Sequence, residues 1–228
     1  LTVTQISAMR NDQVVALSPQ EVPTNSSTSL RRLNQLAALG TAQMQALRVD
    51  QVAALTSSQV NLLSTKQLTA LTAKQFTALE TQDVAALKQA HIQSLTTVLS
   101  AALTTRQIAA LRLDEVSVLT TAQLNAFGVA QVQAFTTQQF QALTTAGLAA
   151  LKTGSISALK VTQVAALTIG NESTAAVSQI SALGSMQLLA LTSVQVAGMT
   201  TAQVTSLKEG QIQAFSAAQI QALTTEQV

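Results

Sequence analysis

The sequence has no cysteine, no tryptophan and no tyrosine, and only one histidine and two prolines. Without cysteine there is no disulfide and no thiolate zinc site, which suits a secreted bacterial protein as well as a cytosolic one. One histidine cannot furnish a histidine metal cluster or a specific Ser–His–acid set, and no glycine-rich phosphate loop is present. Charged residues make up 10% of the chain and the net charge is +2, against about a quarter charged in an ordinary domain. Such sparse, unclustered cations exclude a surface that tracks nucleic-acid phosphates. No apolar run approaches the roughly 18 residues of a membrane span. The expectation is therefore a non-enzyme with no catalytic, cofactor-binding or metal residues. Apolar residues still reach 47%, enough to fold rather than remain disordered.

What fills the remainder is one repeated phrase. LTTAQLNAF (119–127) is followed by GVAQVQAF and then TTQQFQAL. Stepping by eight from Leu39 to position 223 visits 24 positions, 19 of them Leu. The other five are Phe127, Phe135, Ala175, Met199 and Phe215, so only one is small. This column includes Leu55, Leu63, Leu71, Leu103 and Leu111. A second apolar column runs three residues before it, through Val52, Val60, Phe76 and Ile108. Ala usually precedes the Leu, and Gln sits four before it. The consensus is T-T-A-Q-V-x-A-L. All five Phe lie in the two apolar columns, which marks those columns as core.

Apolar positions three apart would point to opposite faces of a strand but share one face of a helix. One continuous helix is also excluded, because eight residues overshoot two turns by roughly 80° and the stripe would circle the axis. Each phrase instead carries its own helix start. Thr72-Ala73-Lys74-Gln75 and Thr104-Thr105-Arg106-Gln107 have capping-box spacing, so Thr72, Gln75, Thr104 and Gln107 are predicted caps. Leu71 with Phe76, and Leu103 with Ile108, are spaced as hydrophobic staples. Helices of one or two turns are unstable alone, but stacked ones bury a continuous core. The predicted fold is all-α: a solenoid of very short capped helices built from eight-residue repeats, with two octads per coil, as a minimal helical hairpin. The Gln column has two readings, as a helix cap or as a ladder of amides between coils.

The array is interrupted. Residues 1–29 hold repeats in a shifted register and a break with both prolines, and 30–228 form the octapeptide solenoid, with a weak joint near 168–176. Thr96 to Leu103 departs from the phrase by placing Leu99 and Ser100 at the Gln and Val columns. His91 falls in the Gln column and reads as a variant of it. Asp114 and Glu115 are adjacent, so they do not face each other on a helix, and they sit at a helix start where acids are favoured. Asn25-Ser26-Ser27 and Asn171-Glu172-Ser173 match the N-glycosylation pattern. The Thr pairs at 104–105, 120–121, 136–137 and 144–145 read as caps plus solvated turns, or as a hydroxyl array open to O-glycosylation or to a repetitive surface.

Thr200-Thr201-Ala202-Gln203-Val204 and the stretch 216–225, SAAQIQALTT, resemble the TTAQVQAL arrays of very large bacterial repeat proteins. Those are often labelled adhesin-like or haem-utilisation-like surface proteins; no haem-binding motif accompanies the repeat here. The resemblance implies secretion and bacterial cell-surface display. Together with a start at Leu1 and a stop in mid-phrase at Gln227-Val228, it suggests a piece of a longer protein. The expected function is an extracellular structural repeat forming a stalk, fibre, sheath or adhesin shaft, with neighbouring copies of the same protein as partners through self-association. The alternatives are an adhesin or scaffold that binds a surface glycan or protein with one solenoid face, and a spacer or length-control segment of a secretion or flagellar system.

Overall fold

A computed structural model describes residues 1–17, 36–168 and 178–228. Among these residues the secondary structure is helical throughout, with α-helices of four to six residues, two 3-10 turns and no strand. The proline-containing break and both N-glycosylation patterns lie outside the described residues.

The octad at Thr72 shows how one phrase folds. Leu71 and Thr72 are both extended, at φ −62°, ψ 141° and φ −70°, ψ 160°. The helix Ala73–Thr77 follows at once. Two extended residues are thus the whole connection between Thr65–Ala70 and this helix. The amide of Thr72 donates to Gln75 Oε1 (2.7 Å), and the amide of Gln75 donates to Thr72 Oγ1 (3.3 Å). Thr104 and Gln107 make the same reciprocal pair at 2.9 and 3.2 Å. Both apolar columns are buried. Val52, Val60, Phe76 and Ile108 have no exposed surface, and Leu55, Leu63, Leu71, Leu103 and Leu111 are likewise inside. Phe127, Phe135 and Phe140 form an aromatic cluster, with ring centroids 5.8 Å apart for the first pair and 6.0 Å, edge to face, for the second.

The chain divides into two compact units, 1–110 and 111–228. In the first, Thr41–Ala46 packs on Thr65–Ala70, Val49–Ala53 on Ala73–Thr77, and Ser57–Leu62 on Thr81–Ala85. Each helix therefore lies against the one three octads along. In the second unit Leu113–Val116 packs on Thr137–Ala142 and Thr121–Ala126 on Thr145–Ala149, again three octads apart. The expected two octads per coil are not found: a coil takes between three and four. An extended dipeptide redirects the chain without reversing it, so hairpins do not form. A helix of five residues also offers too little surface to bury its columns against a single neighbour.

Sequence separation across a coil changes at two places. Gln59 donates to the carbonyl of Val14, 45 residues back, where Gln67 reaches only 31 back to Leu36. The stretch between Leu17 and Leu36 thus adds fourteen residues to the step, which moves the octad register. In the second unit, Gln163 reaches 28 residues back to Phe135, but Gln187 reaches 36 back to Leu151. Gln219 returns to 28. Eight extra residues, one octad, are absorbed there without a change of partner type. Thr168 supplies the capping amide to Gln179 Oε1 (2.9 Å) across eleven residues, where three is usual.

Candidate functional site: the carboxamide column

A short helix leaves both ends unsatisfied, since its first amides and last carbonyls have no intrahelical partner. In most octads a single glutamine resolves both. In Gln75, Oε1 accepts the capping amide of Thr72, while Nε2 donates to the carbonyls of Leu47 (2.5 Å) and Met44 (3.1 Å), which end a helix four octads earlier. Gln107 repeats this with Leu79 (2.8 Å) and Phe76 (3.3 Å). In the second unit Gln139 reaches Leu111 (2.6 Å), and Gln219 reaches Leu191 (2.7 Å) and Leu188 (2.8 Å). The capping reading of the Gln column holds; instead of a ladder of side-chain amides, the nitrogen of the same carboxamide donates to backbone carbonyls of an earlier coil. These carboxamides are buried, and burial requires that their polar atoms be paired.

Arginine at the cap position does a related job. Arg48 Nη1 donates to the carbonyls of Ser7 and Met9, the latter at 3.1 Å, while Nε and Nη2 hold Asp50 at 3.0 and 2.9 Å. A cation thus sits over helix C-terminal carbonyls, where the helix dipole favours it. This clamp was missed in the sequence, although Arg-x-Asp recurs at 10–12, 48–50 and 112–114.

Three ionisable residues replace Gln. His91 Nδ1 accepts the amide of Lys88 (3.2 Å), and its Nε2 lies 2.8 Å from the carbonyl of Leu63. A carbonyl only accepts, so Nε2 must carry the proton and the ring must be neutral. Burial lowers the His91 pKa, and the Lys88 charge adds to this, against the favourable Leu63 bond. Asp83 Oδ2 accepts the Glu80 amide (3.0 Å), and Oδ1 accepts the Ser57 hydroxyl (2.8 Å). Burial raises its pKa. Glu115 Oε2 accepts the Arg112 amide (2.7 Å). Its Oε1 is buried without a hydrogen bond, 3.3 Å from Arg112 Nη2. Burial pushes the Glu115 carboxyl up to about 7, against the lowering effect of the Arg112 amide and charge. Asp114 instead pairs outside with Arg112 Nε at 3.1 Å. The adjacent carboxylates therefore diverge and do not form an acid–base pair.

At positions 99 and 100 the pattern changes. Leu99 is buried and its amide is capped by Thr96 Oγ1 (3.2 Å), while Ser100 Oγ donates to the Thr96 carbonyl (3.0 Å). At 147 the column holds Gly, where a Cβ would stand 2.5 Å from Leu124 Cδ1. Of the Thr pairs, Thr104, Thr120 and Thr136 cap, and Thr105, Thr121 and Thr137 stand exposed beside them. Among the described residues no three His, Cys, Asp or Glu gather as a metal site, and no helix is long and apolar enough to cross a membrane.

No curated protein matches the chain. A family model does: the ALTTAQ repeat matches residues 76–112 and 114–145, less than a third of the chain. Those segments contain His91, both predicted caps at 104 and 107, and the aromatic cluster. With the same columns buried on either side of them, the chain is a repeat array built on TTAQ-type octads.

Proposed function

We propose that this array is an extracellular structural element of a bacterial cell surface: a stalk, fibre, sheath or adhesin shaft that associates with copies of itself. The carboxamide column carries the reading. Most octads are held to another by the same bond, from Gln Nε2 to the carbonyls ending a helix four octads earlier in the regular stretches, and nothing in that bond depends on position. An architecture with this property lengthens by adding octads. The side chains with chemistry to offer, His91, Asp83 and Glu115, are occupied in capping. Antibodies raised against 1–228 test the location. They should label intact cells of the source organism; labelling only after permeabilisation overturns the extracellular reading.

A second reading, a binding face, draws support from a groove of about 590 Å³ in the first unit. It is lined by Thr81, Glu80, Thr104, Thr105 and Arg106 among others. Hydroxyls beside one cation and one carboxylate suit a glycan. Glycan-array binding that is lost on Arg106→Ala would establish it, and no binding to the array or by coated beads would remove it.

A further inference from the structure

The bonds that join coils in the first unit form a series with two gaps. Along the column, Gln67 reaches the Leu39 carbonyl (2.9 Å), Gln75 that of Leu47 (2.5 Å), His91 that of Leu63 (2.8 Å) and Gln107 that of Leu79 (2.8 Å). The same step of 28 residues sets Leu55 opposite Asp83, and Leu71 opposite Leu99. Among the described residues no side chain donates to either of these two carbonyls. Both leucines are buried, and a buried carbonyl without a donor is costly. At Leu71 the facing side chain is apolar and can never supply one. At Leu55 it is a carboxyl.

Asp83 is itself sealed, with no exposed surface. Its Oδ2 accepts the Glu80 amide (3.0 Å), and its Oδ1 accepts the Ser57 hydroxyl (2.8 Å). Ser57 lies two residues beyond Leu55, so the carboxyl faces the turn that holds the unserved carbonyl. While ionised it can only accept, and two acceptors then share one buried joint. Few charges bear on it. Ser57–Leu62, packed on its helix from the preceding coil, carries none. Thr105–Ala110, packed from the following coil, carries Arg106, which is exposed in the groove. Its own cap residue, Glu80, is a like charge. Burial and the Glu80 charge favour the protonated acid, against the bonds from Ser57 and the Glu80 amide.

We propose that Asp83 is an acid-operated tie between coils: on taking a proton at Oδ1 it donates to the Leu55 carbonyl, while Oδ2 keeps the cap. The protonated carboxyl then offers the acceptor and the donor of a carboxamide, one methylene shorter. In neutral solution His91 is the only column residue that reaches back between Gln75 and Gln107; in acid Asp83 joins it. Because the folded pKa is raised above 3.8, the contribution of the tie is complete below pH 3.8 and is lost as pH rises through the folded value. The tie is a property of the fold and holds wherever the array is displayed.

Carbon-13 NMR of the 228-residue chain from pH 8 down to pH 4 tests it, by following the Asp83 carboxyl and the backbone carbonyls of Leu55 and Leu71. The Leu55 carbonyl should move downfield as it gains a donor, with the midpoint of the Asp83 titration. The Leu71 carbonyl, facing Leu99, should not follow that titration. Asp83→Asn has the same size and carries a donor at every pH, so it should hold Leu55 at its acid position throughout. Its urea midpoint should exceed the parent's at pH 8, with the gap closing as pH falls. If the variant fails to fold, the titration of the parent decides. A Leu55 carbonyl that ignores the Asp83 titration overturns the proposal, because the carboxyl then does not reach it. So does an Asp83→Asn variant whose Leu55 carbonyl keeps the parent's pH dependence, since another group would then be titrating. A Leu71 carbonyl that moves in step with Leu55 marks a change of the whole coil, and also overturns it.

Discussion

Two neighbouring stretches of the first unit solve the same problem with different groups. At Gln75 and Gln107 a carboxamide accepts with oxygen and donates with nitrogen at any pH. At Asp83 and His91, between them, the cap is made by a group whose charge can change. The carboxylate accepts twice and donates nothing while ionised. The imidazole does both jobs, but only as the neutral Nε2–H tautomer. Caps can therefore be kept with several side chains, whereas capping one octad and joining it to another requires a donor and an acceptor together. Glutamine is the side chain that meets this at every pH, and its prevalence in the column follows.

The largest effects should come from the columns that both kinds of octad share. Leu111 is buried, and Leu111→Asp places an unpaired charge there, costing on the order of 4 kcal/mol. Lys152→Glu, at an exposed cap position, should change stability by less than about 0.5 kcal/mol. Urea denaturation measures both, and equal costs would mean that the Leu column is not core. Next comes the carboxamide itself. Gln75→Ala strands the Thr72 amide and the Leu47 carbonyl together, for about 2–3 kcal/mol. Gln75→Glu keeps the acceptor, so it should cost less at low pH, where the protonated acid can still donate, and more at high pH. A Gln75→Glu variant with no pH dependence would contradict the two-bond role.

Glu115 tests the same comparison without introducing a charge. Its carboxyl is pushed up to about 7 from 4.5. The folded state therefore holds the proton more tightly, and the stability this contributes is complete below pH 4.5 and is lost as pH rises through about 7. The loss is on the order of 2–3 kcal/mol. Glu115→Gln should remove that slope and leave the protein more stable at pH 8, as read from urea midpoints at pH 4.5 and 8. An unchanged slope would place the titrating group elsewhere.

Much of this was legible because it is one-dimensional. A column of Leu at period eight, a Val column three before it and T-x-x-Q spacing are properties of a string, and they define short capped helices. Coil size is not such a property. It depends on how far Leu71 and Thr72, both extended, swing the chain between helices. Nothing in the spacing distinguishes a reversal from a smaller turn, so two octads per coil was expected where three to four occur. The far partner of Gln75 was hidden for the same reason, since a separation of 28 residues to Leu47 follows only once the coil is known. The signal that could have exposed it is the demand itself: a five-residue helix has orphan groups at both ends, and Gln, like His91, has a donor left over after capping. Asp83 was visible by counting eights and still went unnoticed, because an acid near a helix start reads as ordinary.

His91 gives the smallest and most specific test, because its pH dependence has the opposite sign to that of Glu115. Lys88 and the Leu63 carbonyl are the charge and the acceptor that act on the ring, and burial outweighs that bond to lower its pKa from 6.5. A depressed folded pKa means that the unfolded chain binds the proton more readily. The contribution of His91 is therefore complete above pH 6.5 and is lost as pH falls below it toward the folded value. On protonation Nδ1 gains a hydrogen that points at the Lys88 amide, so the cap is lost while the bond to Leu63 remains. Replacing His91 by Gln keeps both bonds and removes the titration. The variant should match the parent at pH 8 and exceed it at pH 5 in urea midpoint. Equal behaviour at pH 5 would show that the ring does not hold the Lys88 amide, and the likeness between histidine and carboxamide octads would then be one of position only.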